Sequence, residues 1–211
     1  MSKLAKKNIE KIREILLSEY ADAKCALDHE TVFQLLVATV LSAQTTDVSV
    51  NKVTAALFKK APDAKAMAKL SESEIEDFIH SIGMYRQKAK NVKRLSIDLM
   101  EKYGGDVPKD FDALTKLPGV GRKTANVVLS VGFGEQHIAV DTHVFRLANR
   151  IGLVSENNVL DTELALMKAI PKEYWTKMHH ALIYHGRQVC NAKNPKCDIC
   201  CIKSICKRNS L

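Results

Sequence analysis

The stretch Leu117-Pro118-Gly119-Val120-Gly121-Arg122-Lys123-Thr124 decides how this chain is read. Helical patterns flank it, from Asp110 to Lys116 before and from Arg122 to Ser130 after, so the Pro-Gly-Val-Gly run is a tight turn between two helices. Its glycines let backbone N–H groups approach an anion, and the N-terminus of the second helix stands directly behind them. That is a phosphate-binding arrangement. A nucleotide P-loop needs Gly directly before the Lys, where this chain has Arg122, and a strand rather than a helix ahead of the loop. Read locally, the same residues also describe a glycine-rich turn with Lys123 solvated in the first helical turn.

Working outward, the 3.6-residue period dominates and no period-2 alternation bounded by hairpin turns appears. Ile9, Ile12 and Leu16 share one helical face, and Thr31 to Gln34 reads as a capping box opening an almost wholly apolar helix through Leu41. Asp47 is expected to cap a helix carrying Val50, Val53 and Leu57. Ser71 and Glu74 form a second capping box ahead of Ile75, Phe78 and Ile79, with a stop at Gly83. A longer helix carries Ala89, Val92, Leu95 and Leu99 and ends at Gly104-Gly105. Beyond the hairpin, Asp141 reads as an N-cap, and further helices are expected from Asp161 to Ala169 and from Tyr174 to Val189. The predicted fold class is all-α.

The 211 residues hold 32 Lys plus Arg against 24 Asp plus Glu, a net charge of +8 that favours polyanionic partners, nucleic acid first. No apolar run approaches the roughly 18 to 20 residues of a membrane span. Met1 to Tyr20 mixes Lys with Glu, unlike an apolar signal peptide or an acid-free transit peptide, so a cytoplasmic location is expected. Five of the six cysteines lie from Cys190 onward, and Cys190, Cys197, Cys200 and Cys206 are spaced C-x6-C-x2-C-x5-C. Four thiolates in so short a loop, among Lys193, Lys196, Lys203, Lys207 and Arg208, read as a metal centre of zinc or iron–sulfur type. Cys25 and Cys201 fall outside the set. Lys123 is a candidate nucleophile whose amine must lose its proton to react, and a positive helix end beside Arg122 pushes that way. For Asp141, capping and catalysis are compatible roles.

With these residues in view, the chain resembles the endonuclease III family of helix-hairpin-helix DNA glycosylases over nearly its whole length. The resemblance rests on Leu41 to Asp47, Ile82-Gly83-Met84-Tyr85, Leu117 to Asn126, Val140-Asp141-Thr142-His143 and the four-cysteine spacing. It implies two helical domains, residues 25–135 forming a six-helix domain with the hairpin, and residues 1–24 with 136–211 forming a discontinuous one. DNA would lie between them. It also implies a [4Fe-4S] cluster on Cys190, Cys197, Cys200 and Cys206, supporting a basic loop with Lys193 and Lys196. The amides of Gly119, Val120 and Gly121, with Arg122, would meet DNA phosphates. Gln44 and Met84 would fill the gap left when a damaged base is flipped out of the duplex, a step costing a few kcal/mol. Lys123 would attack the sugar, expel the base as an imine forms, and cut the strand by β-elimination, with Asp141 stabilising positive charge on the sugar. Oxidised pyrimidines in double-stranded DNA are the implied substrates, and nothing in the sequence suggests more than a monomer on DNA.

Three other functions compete. A monofunctional mismatch glycosylase shares the fold and cluster, but such relatives usually lack Lys at the position of Lys123. A non-catalytic DNA-binding module would use the hairpin and metal loop for docking alone. A zinc hydrolase on His179, His180 or His185 lacks an H-E-x-x-H arrangement.

Overall fold

The computed structural model describes residues 3–208, and among them it contains eleven α-helices and no strand. In chain order these are α1 (Lys6–Glu19), α2 (Val32–Leu41), α3 (Asp47–Lys60), α4 (Ala64–Lys69), α5 (Glu72–Ile79), α6 (Tyr85–Tyr103), α7 (Phe111–Thr115), α8 (Arg122–Val127), α9 (Thr142–Ile151), α10 (Val159–Ala169) and α11 (Trp175–Gln188). A π-helical turn, Val128–Gly132, continues α8, and short 3-10 turns lie at Lys172–Tyr174 and Cys197–Ile199. The chain divides into two compact units. One is Cys25–Gly134, and the other joins the residues up to Lys24 to those from Glu135 onward.

In the Cys25–Gly134 unit, α2 is the central element because it has almost no polar face. Every residue from Phe33 to Leu41 is buried, against α3, α6, α8 and the π-turn. Thr39, the one hydroxyl inside it, donates to the Leu35 carbonyl at 2.7 Å, so the helix satisfies its own polar atom. Its entry departs from the expected capping box. Thr31 accepts from the Gln34 amide, but the Gln34 side chain accepts from the Glu30 amide at 2.9 Å, one residue earlier than the box requires. The cap of α3 is Thr46, whose hydroxyl accepts from the Ser49 amide, and Asp47 is the first helical residue. Ser71 and Glu74 do form a complete reciprocal box. Helix α4, capped by Asp63, is too short for a period to announce it, and it raises this unit to seven helices against the six expected.

The other unit packs α1 and α9 against α11, with α10 on α9. Ile9, Ile12 and Leu16 are its buried face of α1, as the spacing predicted. A Cβ at Gly186 of α11 would come within 3.1 Å of His143 Nδ1 and of Leu147 Cδ1, so glycine sets how closely α9 and α11 approach. Helix α10 starts two residues earlier than expected, at Val159, because Asn158 accepts from the Asp161 amide at 2.9 Å. Among the described residues no helix is long and apolar enough to cross a membrane.

Candidate active site

The hairpin is built by α7, the turn from Leu117 to Gly121, and α8. Gly119 has φ +78°, and a Cβ there would stand 2.9 Å from Asn91 Nδ2 and 3.1 Å from Val40 Cγ1. Both backbone sign and packing against α2 and α6 therefore demand glycine. Gly121, the N-cap of α8, is extended and has nothing within 4 Å of a Cβ position, so no interior contact explains it. Its open side is available to a group arriving from solution. As a cap it supplies no side-chain acceptor, which leaves the first-turn amides of α8 outward-facing donors. Val120 differs from its neighbours: its side chain is buried and its amide donates to the Leu117 carbonyl at 3.1 Å. Arg122 lies over the Phe111 ring at 5.0 Å, which ties the base of α8 to α7. Lys123 is half-buried in the first turn of α8, and among the described residues its amine makes no hydrogen bond or ion pair.

Gln44 and Met84 share a feature that no local pattern disclosed. Among the described residues only Gln44, Met84 and Arg208 are non-glycine residues with positive φ, and the first two have values of 54° and 56°. Each costs of order 1–3 kcal/mol, and such residues gather at functional sites. Both are exposed, Met84 at 53%. Met84 is also the N-cap of α6, without a capping side chain.

Asp141 caps α9 by accepting from the Val144 amide at 2.8 Å through Oδ1, which leaves Oδ2 for other work. It belongs to the unit that joins the residues up to Lys24 to those from Glu135 onward, whereas Lys123 belongs to Cys25–Gly134. Five and nine residues beyond Asp141, Arg146 and Arg150 of α9 hold the cysteine loop. Arg146 donates to the carbonyls of Gly186 at 3.1 Å and Cys190 at 2.9 Å, and approaches His143 Nδ1 at 3.3 Å. Arg150 donates to the carbonyls of Asn191 at 2.8 Å and Ala192 at 3.1 Å. Neither arginine is conspicuous in the sequence. Their i, i+4 spacing on a capped amphipathic helix was the signal available.

Cys190, Cys197, Cys200 and Cys206 all line one cavity of about 360 Å³, and Cys201 does not. Lys193 and Lys196 stand on its rim, both exposed. Donors point at the sulfurs. Arg150 Nη1 lies 3.8 Å from Cys190 Sγ, the Arg208 amide donates to Cys206 Sγ at 3.3 Å, and His185 Nε2 lies 3.6 Å from Cys200 Sγ. Burial pushes the His185 pKa down to about 4 and raises Tyr20 to about 12. The His185 ring bridges Tyr20 and Cys200, with Nδ1 2.9 Å from the Tyr20 hydroxyl and Nε2 facing Cys200 Sγ. Burial, and then the neighbouring thiols, raise Cys200 and Cys206. A cation beside Cys200 and Cys206 would oppose that shift.

Residues 37–172 match the model of the HhH-GPD superfamily base excision DNA repair protein. Endonuclease III of Bacillus subtilis (strain 168) is 49% identical over 189 residues, covering 89% of this chain and 86% of that one. The chain belongs to the endonuclease III family. Its fold is similar to that of a trapped endonuclease III–DNA covalent intermediate, an estranged-adenine complex, with TM-score 0.93, 47% identity and 97% of each chain covered. A thermostable thymine-DNA glycosylase is more distant, at 26% identity and TM-score 0.85 over 96% of each chain. Members of this family are base-excision-repair enzymes, DNA glycosylases with lyase activity.

Proposed function

We propose that this endonuclease III family member removes oxidised pyrimidines from double-stranded DNA and cuts the strand 3′ to the resulting abasic site, acting in the cytoplasm at the nucleoid as a monomer. The observation that carries this reading is Lys123: an amine with no partner among the described residues, in the first turn of a helix whose cap is glycine. The amides of Gly119 and Gly121 and the first turn of α8 take the phosphates of the damaged strand. Val120 contributes through its buried side chain, which anchors the turn, since its amide is already engaged. Arg122 adds positive charge beside it. Gln44 and Met84 occupy the space left in the stack by the displaced base.

The neutral amine of Lys123 attacks C1′ of the deoxyribose, and the glycosidic bond breaks as the C–N bond to Lys123 forms. The sugar ring opens to an imine. Loss of a proton from C2′ then expels the 3′ phosphate, which is the strand cut. Asp141 keeps one oxygen on its cap and uses the other to stabilise positive charge developing on the sugar and to move protons.

The cavity suits a [4Fe-4S] cluster held by Cys190, Cys197, Cys200 and Cys206. Its volume of about 360 Å³ exceeds what one zinc ion with sulfurs at about 2.3 Å requires. When bound, the group supplies a four-thiolate cross-link that fixes the loop bearing Lys193 and Lys196. Glycosidic cleavage and β-elimination transfer no electrons, so these residues serve the loop's shape and charge.

Sodium borohydride trapping on duplex DNA with one oxidised pyrimidine tests the reading. Wild type should give a covalent adduct and Lys123→Ala and Lys123→Gln none. Base release without an adduct from wild type would make the enzyme monofunctional, and no release from any lesion would leave a DNA-binding module.

A further inference from the structure

Lys88, on α6, is buried at 4% relative exposure, and among the described residues no carboxylate pairs with it. Its ammonium makes one hydrogen bond, to Thr45 Oγ1 at 2.7 Å. A buried, singly bonded ammonium is a liability for the fold, because its desolvation is offset by little. Burial accordingly lowers its pKa. Packing alone would be better served by methionine of similar volume, so the position calls for a reason outside stability.

The contacts on either side supply one. The Lys88 amide donates to the Met84 carbonyl at 3.0 Å, closing the first turn of α6 directly behind the left-handed Met84. The Lys88 side chain reaches across to Thr45, the residue after the left-handed Gln44. Thr45 Oγ1 in turn donates to the Ala43 carbonyl at 3.4 Å, and the Thr45 amide donates to Ser42 at 3.1 Å. Gln44 is thus bracketed by residues on the Lys88 tie, and Met84 is held by the same residue's backbone.

We propose that Lys88 is a positioning residue that clamps Gln44 and Met84 in register, so that both enter the duplex together when the base is displaced. This rests on the assignment of Gln44 and Met84 as gap-filling residues. Among the described residues neither side chain hydrogen-bonds to Lys88. Lys88 acts on them through Thr45 and through the first turn of α6, and spends its charge on a tie between two loops rather than on substrate.

Lys88→Met removes the tie and keeps the volume, and it should melt at or above the wild-type temperature. Under single turnover it should excise an oxidised pyrimidine from a matched duplex about tenfold more slowly or worse. The same lesion in an unpaired bubble, already unstacked, should be processed at close to the wild-type rate. 2-Aminopurine next to the lesion should lose its unstacking fluorescence with Lys88→Met and recover most of it with Lys88→Arg, which keeps a donor. Equal losses on duplex and bubble, or a fluorescence signal unchanged in Lys88→Met, would overturn the proposal. The underlying assignment is tested in parallel by Gln44→Ala and Met84→Ala. If both leave the duplex-to-bubble ratio and the fluorescence of wild type intact, gap filling by these residues is wrong and the clamp falls with it. If they change it and Lys88→Met does not, only the clamp is wrong.

Discussion

The hairpin and the cysteine loop both carry basic residues, Arg122 and Lys123 in one and Lys193 and Lys196 in the other, yet opposite means hold them in place. The hairpin rests on apolar packing: Val120 is buried, and Gly119 sits against Val40 of α2 and Asn91 of α6 with no room for a methyl group. Its shape follows from the core beneath it. The cysteine loop has few buried apolar residues of its own, and polar ties fix it from outside, Arg146 and Arg150 gripping its carbonyls and four sulfurs facing a cavity. A region built on a core is specified by the chain alone. One built around a cavity needs its ligand to finish folding.

That contrast predicts which substitutions hurt, and how. The largest effect is expected from Cys200→Ala, which should abolish the iron and sulfide content of the purified protein and loosen the residues after Gln188. Cys201, off the cavity, is the control. If Cys200→Ala keeps a full complement of iron, the four-cysteine assignment fails. Next is Asp141→Asn. Asn caps helices as well as Asp, so stability should change by less than about 0.5 kcal/mol, while base excision falls about 10²- to 10⁴-fold. An equal fall in thermal stability would mean that Asp141 matters only as a cap.

The two hairpin glycines sharpen the comparison further. Gly119→Ala meets both a left-handed φ and a 2.9 Å contact, and should destabilise by about 1–3 kcal/mol in urea titration. Gly121→Ala faces open space, and should cost less than about 1 kcal/mol while weakening DNA binding by blocking the approach of a phosphate. A reversed order would show that the hairpin is not core-supported. The smallest effect is expected at the loop rim. Lys193→Ala should leave the melting temperature unchanged and lower the salt slope of DNA binding by about one. An unchanged slope would remove Lys193 from the interface.

The same contrast explains how much was legible in the sequence. Helix faces such as Ile9, Ile12 and Leu16 were readable, because burial imposes a period on residue types. So were the Asp141 cap and the cysteine spacing, where chemistry restricts the residues allowed. Asp47 was misread as a cap because Thr46 beside it offers an equally good oxygen, and only the backbone decides between them. The engaged amide of Val120, the ties of Arg146 and Arg150, and the left-handed backbones of Gln44 and Met84 left no mark in residue type. Each depends on residues distant in the chain, or on a dihedral that Gln and Met do not advertise. The function was legible mainly through motif resemblance, and the structure adds how its residues are held.

Peptide mapping of the borohydride-trapped adduct tests most directly whether Lys123 is the amine that bonds to DNA. Digestion of the wild-type complex and mass spectrometry should find the deoxyribose remnant on the peptide containing Lys123 and on no other. A remnant on the N-terminal amine, or on any other lysine, would contradict the assignment of the hairpin as the place where the sugar is attacked.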